Sequence, residues 1–222
     1  MVDAPLNSNA LGRLQGALDY WQEAGYEFVN LPWLVSRPVI EYTRPPQAQG
    51  EDIYTPHGGF VASGEQSFIQ LWLDGKLKGD TRYVGWTPCI RQEPVFDARH
   101  HFYFIKAELF VPCISQEPEE VRHRIVRLAK RYFIYEAGTA SVKQIDDDQF
   151  DIEVAGIEVC SYGLRTLPTG EPYVYGTALA EPRLSYAIEE KERAVATKRA
   201  ARTANESEVG LSTDYAQLLT VT

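Results

Sequence analysis

The residues best equipped for chemistry fall in three segments of the chain. The first runs Arg91-Gln92-Glu93, crosses a polar loop to Arg99-His100-His101-Phe102-Tyr103-Phe104, and ends at Glu108. If strands flank the loop, residues two apart share a face. Arg91 and Glu93 then point one way, and Phe102, Phe104, Lys106 and Glu108 share a face of the next strand. One sheet face thereby collects cations, carboxylates and aromatic rings. That mixture suits a nucleotide: a guanidinium for phosphate, a ring for the base, a carboxylate for an exocyclic amine. The same pattern also fits an exposed, salt-bridged sheet face.

The second segment, Asp151 to Arg165, places acids on a strand with Ser161 and Arg165 nearby. Oxygen ligands of this kind hold hard cations such as magnesium, and the arginine could meet a carboxylate substrate. A half-exposed strand with its acids in solvent reads the same way. The third segment is Gly176-Thr177-Ala178-Leu179-Ala180-Glu181-Pro182-Arg183-Leu184. Small residues lead to an arginine at a helix start. They let a ligand or a second backbone come close, and the helix N-terminus favours anions. A tight strand-helix junction with a surface arginine is the structural alternative.

These segments need a scaffold. Leu11, Leu14, Leu18 and Trp21 recur at helical spacing, with Ser8 or Asn9 as N-cap and Gly25 as stop. A short strand at Tyr26–Val29 follows, then a proline- and glycine-punctuated, loop-rich stretch from 33 to 62, and a short helix at Gln66–Leu73. Tyr83–Arg91 and Phe102–Val111 are predicted strands. Glu119–Ala137 is predicted as an amphipathic helix burying Val121, Ile125, Leu128, Tyr132 and Tyr135, closed by Gly138. Strands return at Phe150–Ser161 and Tyr173–Leu179, and a last helix starts near Arg183 and turns polar after Ile188. The order predicts an α+β domain: an antiparallel β-sheet flanked by helices. One domain is expected over 1–222, with a core of about 9–190 and a loosely held tail over 203–222.

Bulk properties narrow the function classes. A chain of 222 residues with 44% hydrophobic content can bury a core without staples. No apolar run approaches the roughly 20 residues that span a bilayer, so no membrane partner is expected. The first residues lack a signal-peptide pattern. Cys89, Cys113 and Cys160 are odd in number and widely spaced, which suits free thiols in a reducing cytoplasm. The formal net charge of −9 repels phosphate backbones at long range and argues against general nucleic-acid binding. It leaves room for a local basic pocket.

The three segments, in this order, resemble the three signature motifs of class II aminoacyl-tRNA synthetases. The first helix with Gly25-Tyr26-Glu27-Phe28-Val29-Asn30-Leu31-Pro32 is similar to motif 1, whose proline ends a strand at the dimer interface. Arg91-Gln92-Glu93 with its loop and Phe104 resembles motif 2. Gly176 to Arg183 resembles the motif 3 pattern G-x-G-x-G-x-x-R, with Ala178 and Ala180 in place of two glycines. The resemblance covers roughly 9–190 and is nearest to the aspartyl and asparaginyl subgroup. Arg99-His100 and the Phe104-to-Glu108 spacing look like the asparaginyl motif 2. Ile157-Glu158-Val159-Cys160-Ser161-Tyr162-Gly163-Leu164-Arg165 also looks like the I-E-L-S-S-M-G-I-R stretch of ammonia-dependent asparagine synthetase, which shares the fold and activates aspartate with ATP.

The resemblance implies an ATP-dependent ligase that forms an acyl-adenylate and releases AMP and pyrophosphate. It implies Arg91 and Arg183 as catalytic residues, and an ATP site of Arg91, Glu93, Arg99, His100, Tyr103, Phe104, Glu158 and Arg183. Adenine would stack on Phe104, or on Tyr103 if the register slips by one. Magnesium would be held by Asp151 and Glu158, mainly through ATP. A substrate pocket would comprise Ser63, Glu65, Gln66, Lys106, Glu108, Ser161 and Arg165. Ser63-Gly64-Glu65 looks like the T-x-E loop that meets the α-ammonium in some class II synthetases. Arg165 would grip an acidic or amide side chain, aspartate before asparagine, unless it simply pairs with Asp151 or Glu153. The chain has no segment resembling an anticodon-binding domain, so the expected acceptor is ammonia, an amine or a protein. Anticodon-dependent tRNA binding is not expected. A homodimer in the cytoplasm is. A catalytically silent paralogue that binds an amino acid or nucleotide and regulates a partner is the alternative; the presence of Arg91, Glu93, Glu158 and Arg183 favours the enzyme.

Overall fold

The computed structural model describes residues 7–44, 50–92, 94–97 and 100–218, with side chains as far as residue 202. Its elements in chain order are α1 (Ser8–Glu23), β1 (Glu27–Phe28), β2 (Leu34–Val35), α2 (Arg37–Thr43), β3 (Tyr54–Thr55), β4 (Gly58–Phe60) and α3 (Gly64–Leu73). There follow β5 (Tyr83–Ile90), β6 (Tyr103–Pro112), α4 (Pro118–Ala137), β7 (Ser141–Gln144), β8 (Gln149–Val154), β9 (Ile157–Thr166), β10 (Pro172–Glu181) and α5 (Arg183–Leu218). Seven strands form one sheet in the order β1-β5-β6-β10-β9-β8-β7, and β2-β4-β3 form a small second sheet. Only β1 is parallel to its neighbour in the large sheet.

The sequence signals explain most of these elements. In α1 the apolar spacing buries Ala10, Leu14, Ala17, Leu18 and Trp21, whereas Leu11, expected in the same row, is 54% exposed. Its N-cap is Asn7, ahead of the expected Ser8 or Asn9: the Asn7 side chain accepts from the Ala10 amide at 3.0 Å. In α4, Glu119 and Glu120 complement the positive end of the helix dipole, and Gly138 ends the helix at φ 73°, where a side chain would be strained. Tyr135, expected on its buried face, is 85% exposed. The stretch 33–62, expected as loop, holds α2 and the second sheet; its Pro38 sits in the first turn of α2, where a missing N–H costs nothing. The expected strand Phe150–Ser161 is two strands, β8 and β9, joined by a tight turn at Ala155 and Gly156, both with positive φ.

One face of the large sheet carries Val84, Ile105, Ala107, Leu109 and Val111 against α1 and α4. Ile125 and Phe133 of α4 are fully buried there. Each such side chain contributes roughly 1.5–3 kcal/mol, whereas an exposed pair such as Arg37–Glu41 contributes about 0–1 kcal/mol. Apolar packing therefore fixes the sheet, and Phe133→Ala would cost ~3–5 kcal/mol. On the other face, α2, α3 and the small sheet cover only part, closing over Phe68, Phe110 and Tyr173. The uncovered part is the candidate site. In α5, Leu184 and Ala187 pack on the body, while every residue from Glu192 to Arg202 is exposed.

Candidate functional site

The uncovered sheet face is assembled from four strands, and two irregularities decide what it shows. In β5, Gly85, Thr87 and Cys89 alternate toward the site, with Arg91 just beyond; Val84 and Trp86 turn to the helices. In β6, Phe104, Lys106 and Glu108 face the site, and Ile105, Ala107 and Leu109 face the helices. In β9, Arg165, Gly163 and Ser161 share the site face by period two, which would send Glu158 to the opposite side. A register shift intervenes: Ile152 pairs with Cys160, but Glu153 pairs with Glu158. The extra residue, Val159, returns Glu158 to the site face. A second shift in β10, between Thr177 and Leu179, brings Ala180 opposite Lys106 in the same way.

Two connected chambers lie on this face. They share Arg91, Lys106, Ser161 and Thr177. The upper one encloses about 180 Å³ and is lined by Arg91, His100, Phe104, Glu158 and Arg183 among others. The Arg91 guanidinium lies 5.1 Å from the centre of the Phe104 ring, and its Nε donates to the Ala62 carbonyl at 3.0 Å. Arg183, at the first turn of α5, meets Glu158 at 3.1 Å across the chamber. The buried Glu181 carboxylate is occupied elsewhere: it pairs with Arg13 at 2.5 Å and accepts from the Ser185 amide at 3.1 Å, which caps α5. Arg91, Lys106 and Arg183 thus line a recess whose one remaining carboxylate, Glu158, is paired with Arg183. The upper chamber is a cationic recess with an aromatic plate, which suits a polyphosphate bearing a base.

The lower chamber, about 390 Å³, is built on ion pairs in which Glu65 and Glu108 are buried. Arg165 donates from Nη1 to Glu65 Oε2 at 2.8 Å, and the Tyr173 hydroxyl donates to Glu65 Oε1 at 2.7 Å. Arg165 also stacks on Tyr175, 4.5 Å from the ring centre; Gly163 leaves the room, since a Cβ there would lie 2.5 Å from the Tyr175 hydroxyl. Burial raises the Glu65 carboxyl above its ordinary 4.5, opposed by Arg165 and Tyr173. Glu108 accepts from Ser63 Oγ and Lys106 Nζ, both at 2.6 Å, and from the Glu65 amide at 3.2 Å. Burial pushes the Cys89 thiol up to about 11 and raises Cys160 too. Neither is a thiolate nucleophile at neutral pH.

The expected substrate residues Ser63, Glu65, Gln66, Lys106, Glu108, Ser161 and Arg165 all line this lower chamber. Gln66 is held at both ends, accepting from the Ala62 amide at 2.8 Å and donating to Thr43 at 2.9 Å. Of the expected ATP residues, Arg91, His100, Phe104, Glu158 and Arg183 line the upper chamber; Tyr103 does not, being on the other side of its strand. Glu93 and Arg99 lie outside the described residues. Of the two expected magnesium ligands, Glu158 lines the upper chamber and Asp151 does not; Asp151 is nearly buried opposite Ser161, with Gln149 at 3.3 Å. Arg165 pairs with neither Asp151 nor Glu153 but with Glu65. Sequence reading missed Arg44 and Asp52, an ion pair lining the lower chamber, and the row Tyr173, Tyr175, Thr177. The period-two spacing of that row was the available signal.

No family model matches the sequence, and no curated relative does. The folded domain is similar to solved structures. Over 80% of the chain it superposes on seryl-tRNA synthetase from Pyrococcus horikoshii, solved with ATP, at TM-score 0.63 and 20% identity. The fold is that of a class II aminoacyl-tRNA synthetase catalytic core. A cytoplasmic serine-tRNA ligase from Naegleria fowleri, solved with AMP, matches over 78% of the chain at TM-score 0.61 and 14% identity. The pyrrolysyl-tRNA synthetase PylSc of Desulfitobacterium hafniense matches over 82% at TM-score 0.65 and 18% identity. The chain covers 49% and 46% of the two seryl enzymes and 69% of the pyrrolysyl enzyme, so it spans about half the length of the seryl-tRNA synthetases it matches. These likenesses concern the synthetase core as a fold and do not single out the aspartyl and asparaginyl subgroup.

Proposed function

We propose that the protein activates the carboxylate of an amino acid with ATP and passes the acyl group to an acceptor other than a tRNA read through its anticodon. The observation that carries this reading is the meeting of the two chambers at Arg91. A cationic, aromatic recess on one side suits the nucleotide, and a chamber with buried, ion-paired carboxylates on the other suits a zwitterion. The carboxylate oxygen would attack the α-phosphorus, a phosphorus–oxygen bond would break, and pyrophosphate would leave. The acceptor nucleophile, such as ammonia, an amine or a protein side chain, would then attack the acyl carbon and release AMP. Arg91 would offset the charge that develops on the α-phosphate, and Arg183 would hold the phosphate tail.

Magnesium would enter with ATP, and Glu158 is the carboxylate suited to it; a magnesium–nucleotide complex commonly takes only one or two protein carboxylates. Arg91 and Arg183, both facing the recess, favour catalysis over silent nucleotide binding. The homodimer implied by the motif 1 resemblance is part of the same proposal. The exposed Phe28 on the edge strand β1 and the exposed Trp33 just before β2 support it. The test is product analysis: the protein, ATP, magnesium and an amino-acid mixture should yield AMP and pyrophosphate. ADP and phosphate, or no amino-acid dependence, would refute the reading.

A further inference from the structure

We infer that Arg165 positions Glu65 rather than receiving an anionic side chain, and that the lower chamber therefore takes an amino acid whose side chain is polar and uncharged. The inference rests on the proposed amino-acid site and deepens it. The charges of the chamber are already largely matched. Arg165 meets Glu65 at 2.8 Å, Lys106 meets Glu108 at 2.6 Å, and Arg44 meets Asp52. Among the described residues lining the chamber, Arg91 alone is a cation without a carboxylate partner, and it sits where the two chambers join.

A bound zwitterion brings one ammonium and one carboxylate. Glu65 has lone pairs beyond those used by Arg165 and Tyr173, so it can accept the ammonium; Arg91 is placed for the reacting carboxylate. A second carboxylate, as in aspartate, would have to share the Arg165 guanidinium with Glu65 or lie unpaired beside the buried Glu65 and Glu108, and like charges held close together are disfavoured. A cationic side chain would meet Arg44 and Arg165, although the exposed Glu51 at the rim offers it one partner. The remaining lining supplies neutral donors and acceptors: Gln92, Gln149, Ser161, Tyr175 and Thr177. These suit an amide or hydroxyl.

Arg165 in this account acts through Glu65. The groups facing Glu65 are Arg165 from β9, Tyr173 and Tyr175 from β10, and Lys106 and Glu108 from β6. Removing Arg165 or the Tyr173 hydroxyl leaves Glu65 easier to protonate. Amino-acid affinity should then fall, on acidification, at a higher pH than in the wild type.

The experiment is calorimetric binding to the full chain of asparagine, glutamine, serine, aspartate, glutamate and lysine, with a non-hydrolysable ATP analogue present. It is repeated for Arg165→Met, Arg165→Lys and Tyr173→Phe, each first confirmed folded by its melting transition. At least ~10-fold tighter binding of asparagine, glutamine or serine than of aspartate, glutamate or lysine is expected. Arg165→Met and Tyr173→Phe should weaken all bound amino acids alike and shift the acid limb upward, with Arg165→Lys restoring part. Preference for aspartate or glutamate, with Arg165→Met abolishing that preference and sparing neutral amino acids, would overturn the inference. So would preference for lysine, or no binding of any of the six. If the neutral preference holds while no AMP is formed with any amino acid, the inference stands and the adenylation proposal falls.

Discussion

Arg165 of β9 and Glu65 of α3, a hundred residues apart in sequence, meet at 2.8 Å on the floor of the lower chamber. The Glu65 carboxyl is held above its ordinary 4.5 by burial. A carboxyl with a raised folded value contributes stability that is full below pH 4.5 and is lost as pH rises through the folded value. Arg165 limits that loss by favouring the ionised form. Arg165→Met should therefore melt close to wild type near pH 4 and progressively below it toward pH 7.5, by an amount corresponding to about 1 kcal/mol, because solvent at the partly exposed Arg165 screens the charged hydrogen bond. Thermal melts across this range provide the measurement. A deficit that is constant with pH would mean that Arg165 acts through packing on Tyr175 alone.

Phe104 lies under the Arg91 guanidinium at 5.1 Å and is the ring best placed to stack a base. Phe104→Ala should raise the KM for ATP about 5- to 150-fold, on a stacking contribution of ~1–3 kcal/mol, with a smaller change in kcat. Tyr103→Ala should leave the KM for ATP nearly unchanged. Steady-state kinetics on the two variants separates them, and the reverse ranking would move the base to Tyr103.

Gly64 opens α3 against the Glu108 carboxylate. A Cβ at this position would lie 2.6 Å from Glu108 Oε2 and 3.3 Å from Leu31. Glu108 cannot yield easily, because Ser63, Lys106 and the Glu65 amide all bind it. Gly64→Ala should cost ~1–3 kcal/mol of stability and weaken amino-acid binding more than ATP binding. Equal losses for both ligands in a calorimetric comparison would contradict the assignment of this corner to the lower chamber.

Phe28 on β1 is 36% exposed and Trp33, just before β2, is 51% exposed, while the intervening Leu31 is buried within the chain's own second cluster. A large apolar side chain on an open sheet edge, with a second exposed one close by in sequence, favours a self-complementary contact. Sedimentation at micromolar concentration should give a dimer mass, and Trp33→Glu a monomer. A monomeric wild type would rule the contact out.

Much of the fold was legible in the sequence because its signals are local. The apolar rows of α1 and α4, the αL glycine at Gly138 and the alternation in β5 and β6 each follow from spacing. The site was legible in its members and not in its pairings. The Val159 and Ala178 irregularities move Glu158 and Ala180 between faces, and a strict period of two assigns them wrongly. The turn at Ala155–Gly156 splits an expected strand because both residues adopt positive φ. The Arg165–Glu65 pair joins segments that only the folded sheet brings together, so the sequence offered the substrate, or else Asp151 or Glu153, as the partner of Arg165.

The central claim is that Arg91 stabilises the activation of an amino acid's carboxylate by ATP. Pyrophosphate exchange into ATP, measured over the amino acids without any acceptor, tests it apart from transfer. The account predicts exchange that depends on an amino acid and falls ~10²–10³-fold in Arg91→Ala. Exchange by Arg91→Ala within a few-fold of wild type, or no amino-acid-dependent exchange by a wild-type protein that binds ATP, would contradict it.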